Sequence, residues 1–112
     1  MKKHEVWLAD LDPSFGTEAG KQRPVVIVQT DRMNGKHSST VICPITTQIK
    51  PRYKLTRIHL SAGDAGLAYD SDIMIDQIRA IDNTRFIRKM GILATLHQVN
   101  LANCLKDLLD LT

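Results

Sequence analysis

Short runs of β-branched and aliphatic residues follow one another at close intervals from Val6 to Met90, and no helical pattern separates them. This spacing constrains the fold more than any other feature. Parallel neighbours need crossovers of about a dozen residues or more, so strands this close pair antiparallel in a small sheet or barrel. The expected strands are Val6 to Leu8, Pro24 to Thr30, Thr40 to Ile45, Ile58 to Leu60, Ile73 to Ile75, Ile78 to Ile81 and Phe86 to Met90. Asp10 to Gly16, Asp31 to Ser39 and Ser61 to Gly66 read as loops or turns, and Asp82-Asn83-Thr84-Arg85 joins the last two strands. The pattern changes only at Ala94. From there to Leu109, Leu96, Val99, Leu101, Ala102, Leu105, Leu108 and Leu109 recur at three- and four-residue spacing, which predicts one amphipathic helix over a face of the sheet. Thr95 and Gln98 suit a capping box at its start.

A chain of 112 residues suffices for one domain and is too short for two independent cores. Residues 1–112 are therefore expected to form a single domain. Apolar residues at 43% and charged residues at 24% exclude a disordered chain. A net charge of +3 leaves nucleic acid open as a partner without demanding it. No apolar run is long enough for a signal peptide or a membrane span. Cys43 and Cys104 each sit in an apolar stretch and read as small core residues in a reducing, cytoplasmic setting. His4, His37, His59 and His97 show no metal-ligand spacing with each other or with cysteine, so no metal site is expected.

Three segments carry chemistry. Gly16 to Pro24 is polar, has two glycines and delivers Arg23 directly before a strand. Pro24 biases Arg23 towards extended backbone and supplies no N–H, which places the strand's start at an edge or rim. By itself the segment also fits a long hairpin loop with solvated charges. Next, Cys43-Pro44-Ile45 delivers Thr46, Thr47 and Gln48, then Lys50, Arg52, Lys54 and Arg57. Hydroxyls and an amide beside a basic loop suit a groove for a phosphate backbone, although threonines are common in any hairpin. In the third segment, Asp76 to Asp82, polar and apolar residues alternate. As a strand it places Asp76, Ile78 and Ala80 on one face and Gln77, Arg79 and Ile81 on the other.

Taken in order, four pieces of the chain resemble the MazF/PemK family of toxin endoribonucleases. They are Val6 to Pro13, then Gly16-Thr17-Glu18 with Arg23 to Val28, then Thr40 to Gln48, and finally Ser71 with Asp76 to Asp82. The resemblance implies an α+β, mainly β fold: a small antiparallel SH3-like barrel of the CcdB/PemK type with a C-terminal helix, forming a two-fold homodimer. It implies that Arg23 and Thr46 are the catalytic residues. The implied reaction is attack by a ribose 2′-hydroxyl on the neighbouring phosphorus, giving a 2′,3′-cyclic phosphate and a 5′-hydroxyl. The nucleophile belongs to the substrate, so neither cofactor nor metal is expected. Thr17, Glu18, Lys21, Thr47, Gln48, Lys50, Arg52, Gln77 and Arg79 are the substrate-binding candidates, with Glu18 the nearest carboxylate to Arg23 in sequence.

The chain departs from the family at three points. Thr17-Glu18-Ala19 stands where many members have Ser-Glu-Gln, and the loop glycine is displaced to Gly20. Met74 stands where the PemK branch has an arginine two positions before its aspartate, so Asp76 is assigned a structural or secondary role. The implied partners are single-stranded RNA and a cognate antitoxin protein, with no membrane. A CcdB-like gyrase poison would share the fold, but its activity depends on the end of the C-terminal helix, often a bulky aromatic. Here the chain ends Leu108-Leu109-Asp110-Leu111-Thr112. A non-catalytic RNA-binding barrel would need an aromatic stacking platform, for which two tyrosines, two phenylalanines and one tryptophan are few.

Overall fold

The computed structural model describes residues 1–111. Thr112, which belongs to the chain end weighed against the gyrase reading, lies outside them. Seven strands, β1 (Glu5–Asp10), β2 (Gln22–Ile27), β3 (Ser39–Thr46), β4 (Arg57–Leu60), β5 (Ser71–Met74), β6 (Arg79–Asp82) and β7 (Phe86–Ile92), precede a single α-helix, α1 (Thr95–Leu108). All pairings are antiparallel. The spatial order is β4-β5-β3-β2-β1-β7, and β6 also pairs with β3.

The branching at β3 shapes the sheet. Its first half, Ser39 to Ile42, pairs with β6, and its last residues, Ile45 and Thr46, pair with β5. The sheet therefore curls as expected but does not close, because β4 and β7 are not paired with each other. A 3₁₀ turn, Asp64–Gly66, lies against β7. The approach is backbone to backbone: a Cβ on Gly66 would collide with the Met90 carbonyl, and one on Gly91 with the Ala65 carbonyl group.

Side-chain alternation gives the central strands two buried faces. Val6, Val26, Cys43, Ile45, Ile73 and Leu101 belong to one apolar cluster. Ala9, Val25, Ile27, Ile42, Met74 and Ile81 belong to the other, against which Trp7 and Phe86 pack edge to face. Both cysteines are free. Cys43 is fully buried and Cys104 packs on the first cluster, which fits their reading as core residues.

Four local expectations are corrected. β2 begins at Gln22 and ends at Ile27, short of Thr30, because Thr30 starts the turns that carry Asp31 to Lys36. Ile75 is not in a strand, and the segment from Asp76 is not one continuous strand. Ile75–Gln77 is a 3₁₀ turn in which Ile78 N–H reaches the Ile75 carbonyl, and only Arg79–Asp82 pairs with β3. No capping box forms at α1. Ala94 is the N-cap without a side-chain bond, and Gln98 Nε2 instead donates to the Leu93 carbonyl at 2.9 Å. Finally, the helix packs through Leu101, Cys104 and Leu105, whereas Leu96, Val99 and Leu109 stay exposed. The apolar stripe is wider than the face that the sheet can cover.

Candidate functional site

The β2–β3 ladder stops at Val25 opposite Pro44. Pro24, with no N–H to donate, is the first residue past that pair on β2, and it stays paired only with Leu8 of β1. Two residues past the last pair in the same antiparallel register stand Arg23 and Thr46. By then β3 has turned its pairing to β5, with Thr46 opposite Asp72. The gap between the diverging strands is a cleft of about 410 Å³. Thr17, Lys21, Arg23, Thr46, Thr47 and Gln48 line it, together with Arg57 and Met74.

The guanidinium of Arg23 is fixed by its own loop. Its Nε donates to the Gly20 carbonyl at 2.8 Å, which leaves the four N–H bonds of the terminal nitrogens for a ligand. A Cβ on Gly20 would run into the side chains of Ser14 and Asp12, so glycine is needed there. Lys21 takes a left-handed backbone (φ 64), held by a bond from its N–H to Asp12 Oδ1 at 2.6 Å. Burial lowers the Arg23 pKa from its usual value, and nearby Asp12 opposes that shift. Partial desolvation strengthens the field of a group that stays protonated at neutral pH. The Thr46 hydroxyl accepts the Gln48 N–H at 3.1 Å, so its own proton remains free to donate.

A second cavity of about 390 Å³ shares Thr17, Gln48, Arg57 and Met74 with the cleft and adds Lys50, Tyr53, Asp76 and Gln77. Asp76 is exposed on its wall. Gln77 also holds the loop, with Oε1 accepting Ala19 N–H and Nε2 donating to the Thr17 carbonyl.

Three candidates stand apart from the cleft. Glu18 is exposed, and its Oε1 accepts the Phe15 N–H at 3.0 Å, capping the loop that contains it. Arg52 lines a separate hollow with Lys50, Pro51 and Tyr53. Arg79 lies opposite Ile42 in the β3–β6 ladder, with its Nη1 buried and unpartnered among the described residues.

Sequence reasoning missed Asp72. Its side chain is buried, with Oδ2 accepting Lys50 N–H at 2.9 Å and Arg57 Nη1 at 3.3 Å. Its Oδ1 lies 3.2 Å from His59 Nδ1. Arg57 also donates to the Gln48 carbonyl at 3.0 Å, which ties the basic loop to the cleft. An acidic residue entering an apolar strand was the available signal. Among the described residues no three His, Cys, Asp or Glu side chains could together hold a metal, and no helix is long and apolar enough to cross a membrane.

Fold and cleft together define a small curled-sheet protein with a cationic, hydroxyl-lined notch at the splay between two strands, suited to an anionic chain. The family model described as "PemK-like, MazF-like toxin of type II toxin-antitoxin system" matches residues 2–109, and the chain belongs to that family. Endoribonuclease MazF9 of Mycobacterium tuberculosis is 38% identical over 117 residues, covering 99% of this chain and 98% of its own. Endoribonuclease EndoA of Bacillus subtilis is 36% identical over 90 residues, covering 80% and 78%. Among solved structures, Mycobacterium tuberculosis toxin MazF-mt6 superposes with a TM-score of 0.81 at 24% identity, covering 96% of this chain and 98% of that one, which supports the shared fold.

Proposed function

We propose that this chain is the toxin of a toxin–antitoxin pair, an endoribonuclease that cuts single-stranded messenger RNA sequence-selectively in the cytoplasm. The observation that carries this reading is the meeting of Arg23 and Thr46 at one cleft, two residues past the end of the β2–β3 ladder. A phosphodiester seated there places its non-bridging oxygens against the free guanidinium N–H bonds and the Thr46 proton. As the 2′-oxygen bonds to phosphorus and loses its proton, negative charge grows on those oxygens. Donors already in place stabilise it without reorganising. The P–O5′ bond then breaks, the 5′-oxygen takes up a proton, and a 2′,3′-cyclic phosphate remains.

Lys21, Lys50 and Arg57 hold the flanking backbone, while Thr17, Thr47 and Gln48 contact sugars or bases. A separate antitoxin restrains the activity, as the family's description implies, and two copies of the chain form the working unit. The test is cleavage of a long single-stranded RNA in excess EDTA. Fragments with 5′-hydroxyl ends are expected. Strict dependence on added magnesium, or 5′-phosphate ends, overturns the mechanism.

A further inference from the structure

Beside the cleft lies a cavity of about 410 Å³ that the proposed chemistry does not use. Ile49, Pro51, Tyr53, Lys54, Arg57 and His59 line it, and Asp72 reaches it from β5. Arg57 borders both this cavity and the cleft, so a group bound in one lies one side chain away from a group bound in the other. We propose that this cavity is a base subsite, in which a nucleobase flanking the cleaved phosphate stacks on Tyr53 and presents a polar edge to His59. The proposal rests on the ribonuclease reading and adds a specificity-determining role to it.

Three observations support it. Tyr53 keeps 51% of its surface exposed, with Lys50 Nζ 5.5 Å and Arg57 Cζ 6.0 Å from its ring centroid. Both cations lie over the ring, so a base stacks on Tyr53 by displacing the flexible Lys50 side chain, whose charge is then available to the nucleotide's phosphate.

The loop is also pre-organised. Asp72 holds both its ends, through the backbone N–H of Lys50 and the guanidinium of Arg57, with Tyr53 between them. Fixing a binding loop before the ligand arrives lowers the entropy cost of binding.

The third observation is His59. Its Nδ1 lies 3.2 Å from Asp72 Oδ1, a carboxylate oxygen placed to accept a hydrogen bond from it. With Nδ1 engaged by Asp72, Nε2 is the ring nitrogen left for a ligand, suited to a polar group on a base edge. The cavity's size lies near the lower end of small-ligand pockets, about 300–1,000 Å³, and fits one planar group, not a peptide helix.

The experiment is cleavage of a random-sequence RNA pool by wild-type protein, Tyr53→Ala and Tyr53→Phe, with cut sites sequenced and KM measured on the preferred substrate. Tyr53→Ala is expected to flatten the base preference at one position beside the cut and raise KM about tenfold or more, the scale of removing one base–aromatic stack. Tyr53→Phe keeps the ring and should keep the wild-type profile, which separates stacking from any loss of folding. His59→Ala should relax the preference at the same position. A Tyr53→Ala profile and KM equal to wild type overturn the subsite while leaving the ribonuclease intact. Weaker binding of the antitoxin alone, with profile and KM unchanged, assigns the loop to the protein partner and also overturns it. A wild-type protein that leaves the pool uncut removes the ribonuclease reading and this inference with it.

Discussion

Gln77 accepts the backbone N–H of Ala19 at 3.2 Å across 58 residues of sequence, and its amide nitrogen donates to the Thr17 carbonyl at 3.0 Å. One side chain thus replaces a missing strand partner for the loop that carries Thr17 and leads to Arg23. Gln77→Leu removes both bonds and strands two loop groups. We expect a loss of about 1–3 kcal/mol in stability, from two bonds of roughly 0.5–1.5 kcal/mol each. Faster hydrogen exchange at the Ala19 amide and lower RNA cleavage should accompany it. Unchanged exchange at Ala19 in the variant would mean the loop holds its shape unaided.

Arg23→Ala and Thr46→Ala should each lower cleavage about a hundredfold or more, the usual result of deleting one preorganised donor to a developing oxyanion. Neither residue belongs to the apolar clusters, so thermal midpoints should stay nearly unchanged. Single-turnover rates on a defined RNA, with circular dichroism as the folding control, make the measurement. A folded Arg23→Ala protein that cuts at the wild-type rate rules the residue out.

Patterns local in sequence were legible, and pairings between distant segments were not. Seven strands and one helix follow from runs of β-branched residues and a later change of period, and Thr46 could be placed at a strand end because the polar residues after it break the run. Arg23 could be placed at a rim because Pro24 follows it. The barrel's failure to close could not be read, since it depends on whether β4 and β7, distant in sequence, pair with each other, and nothing local to either strand decides that. Asp72 stayed hidden for the same reason. In the sequence it is one more polar residue at a strand start, and its role comes from partners 13, 15 and 22 residues away. The extended reading of Asp76 and Gln77 failed because alternation of polar and apolar side chains does not distinguish a strand from a 3₁₀ turn that runs into one.

The four basic residues of the Lys50–Arg57 loop should contribute unequally to RNA binding. Arg57 lines the cleft and Lys50 a cavity that shares four lining residues with it, whereas Arg52 lines only the hollow that it shares with Lys50, Pro51 and Tyr53. Removing one cation that neutralises a phosphate of a single strand should change the log–log salt slope by about 0.7. Lys50→Ala should show that change and Arg52→Ala a smaller one, measured by binding titrations across salt concentrations. Equal slopes for wild type and Lys50→Ala would place that residue in solvent.

Glu5 gives the fold a dependence on acid. Burial alone would raise its pKa. Bonds from Lys89 Nζ at 2.9 Å, Trp7 Nε1 at 3.0 Å and the Lys2 N–H at 2.9 Å outweigh burial and bring it down to about 2. A folded-state pKa below the unfolded value contributes stability at neutral pH that is lost as pH falls from about 5 towards 2. With Lys89 half-exposed and screened by solvent, the contribution is on the order of 2 kcal/mol. Urea midpoints should therefore fall across that window in wild type and fall less steeply in Glu5→Gln. Parallel pH profiles would assign the acid sensitivity to other carboxylates.

The exposed apolar residues of α1 and β7 carry the expectation of a dimer. Leu96 is 68% exposed, Val99 53% and Ile92 56%, the first two on a helix that buries Leu101 on another face. Leu109, at the end of the same helix, is also exposed, at 49%. Several large apolar side chains left exposed on one helix and the strand before it are a common mark of association in so small a domain. A second copy meeting it by a two-fold axis would place the same residues on both sides, so a single substitution enters the interface twice. Light scattering at micromolar concentration should give about twice the chain mass for wild type. Val99→Lys puts two charges into such an interface and should yield a folded monomer with weaker RNA cleavage. A wild-type chain that stays monomeric at high concentration while fully active would show that the helix faces water in the working protein.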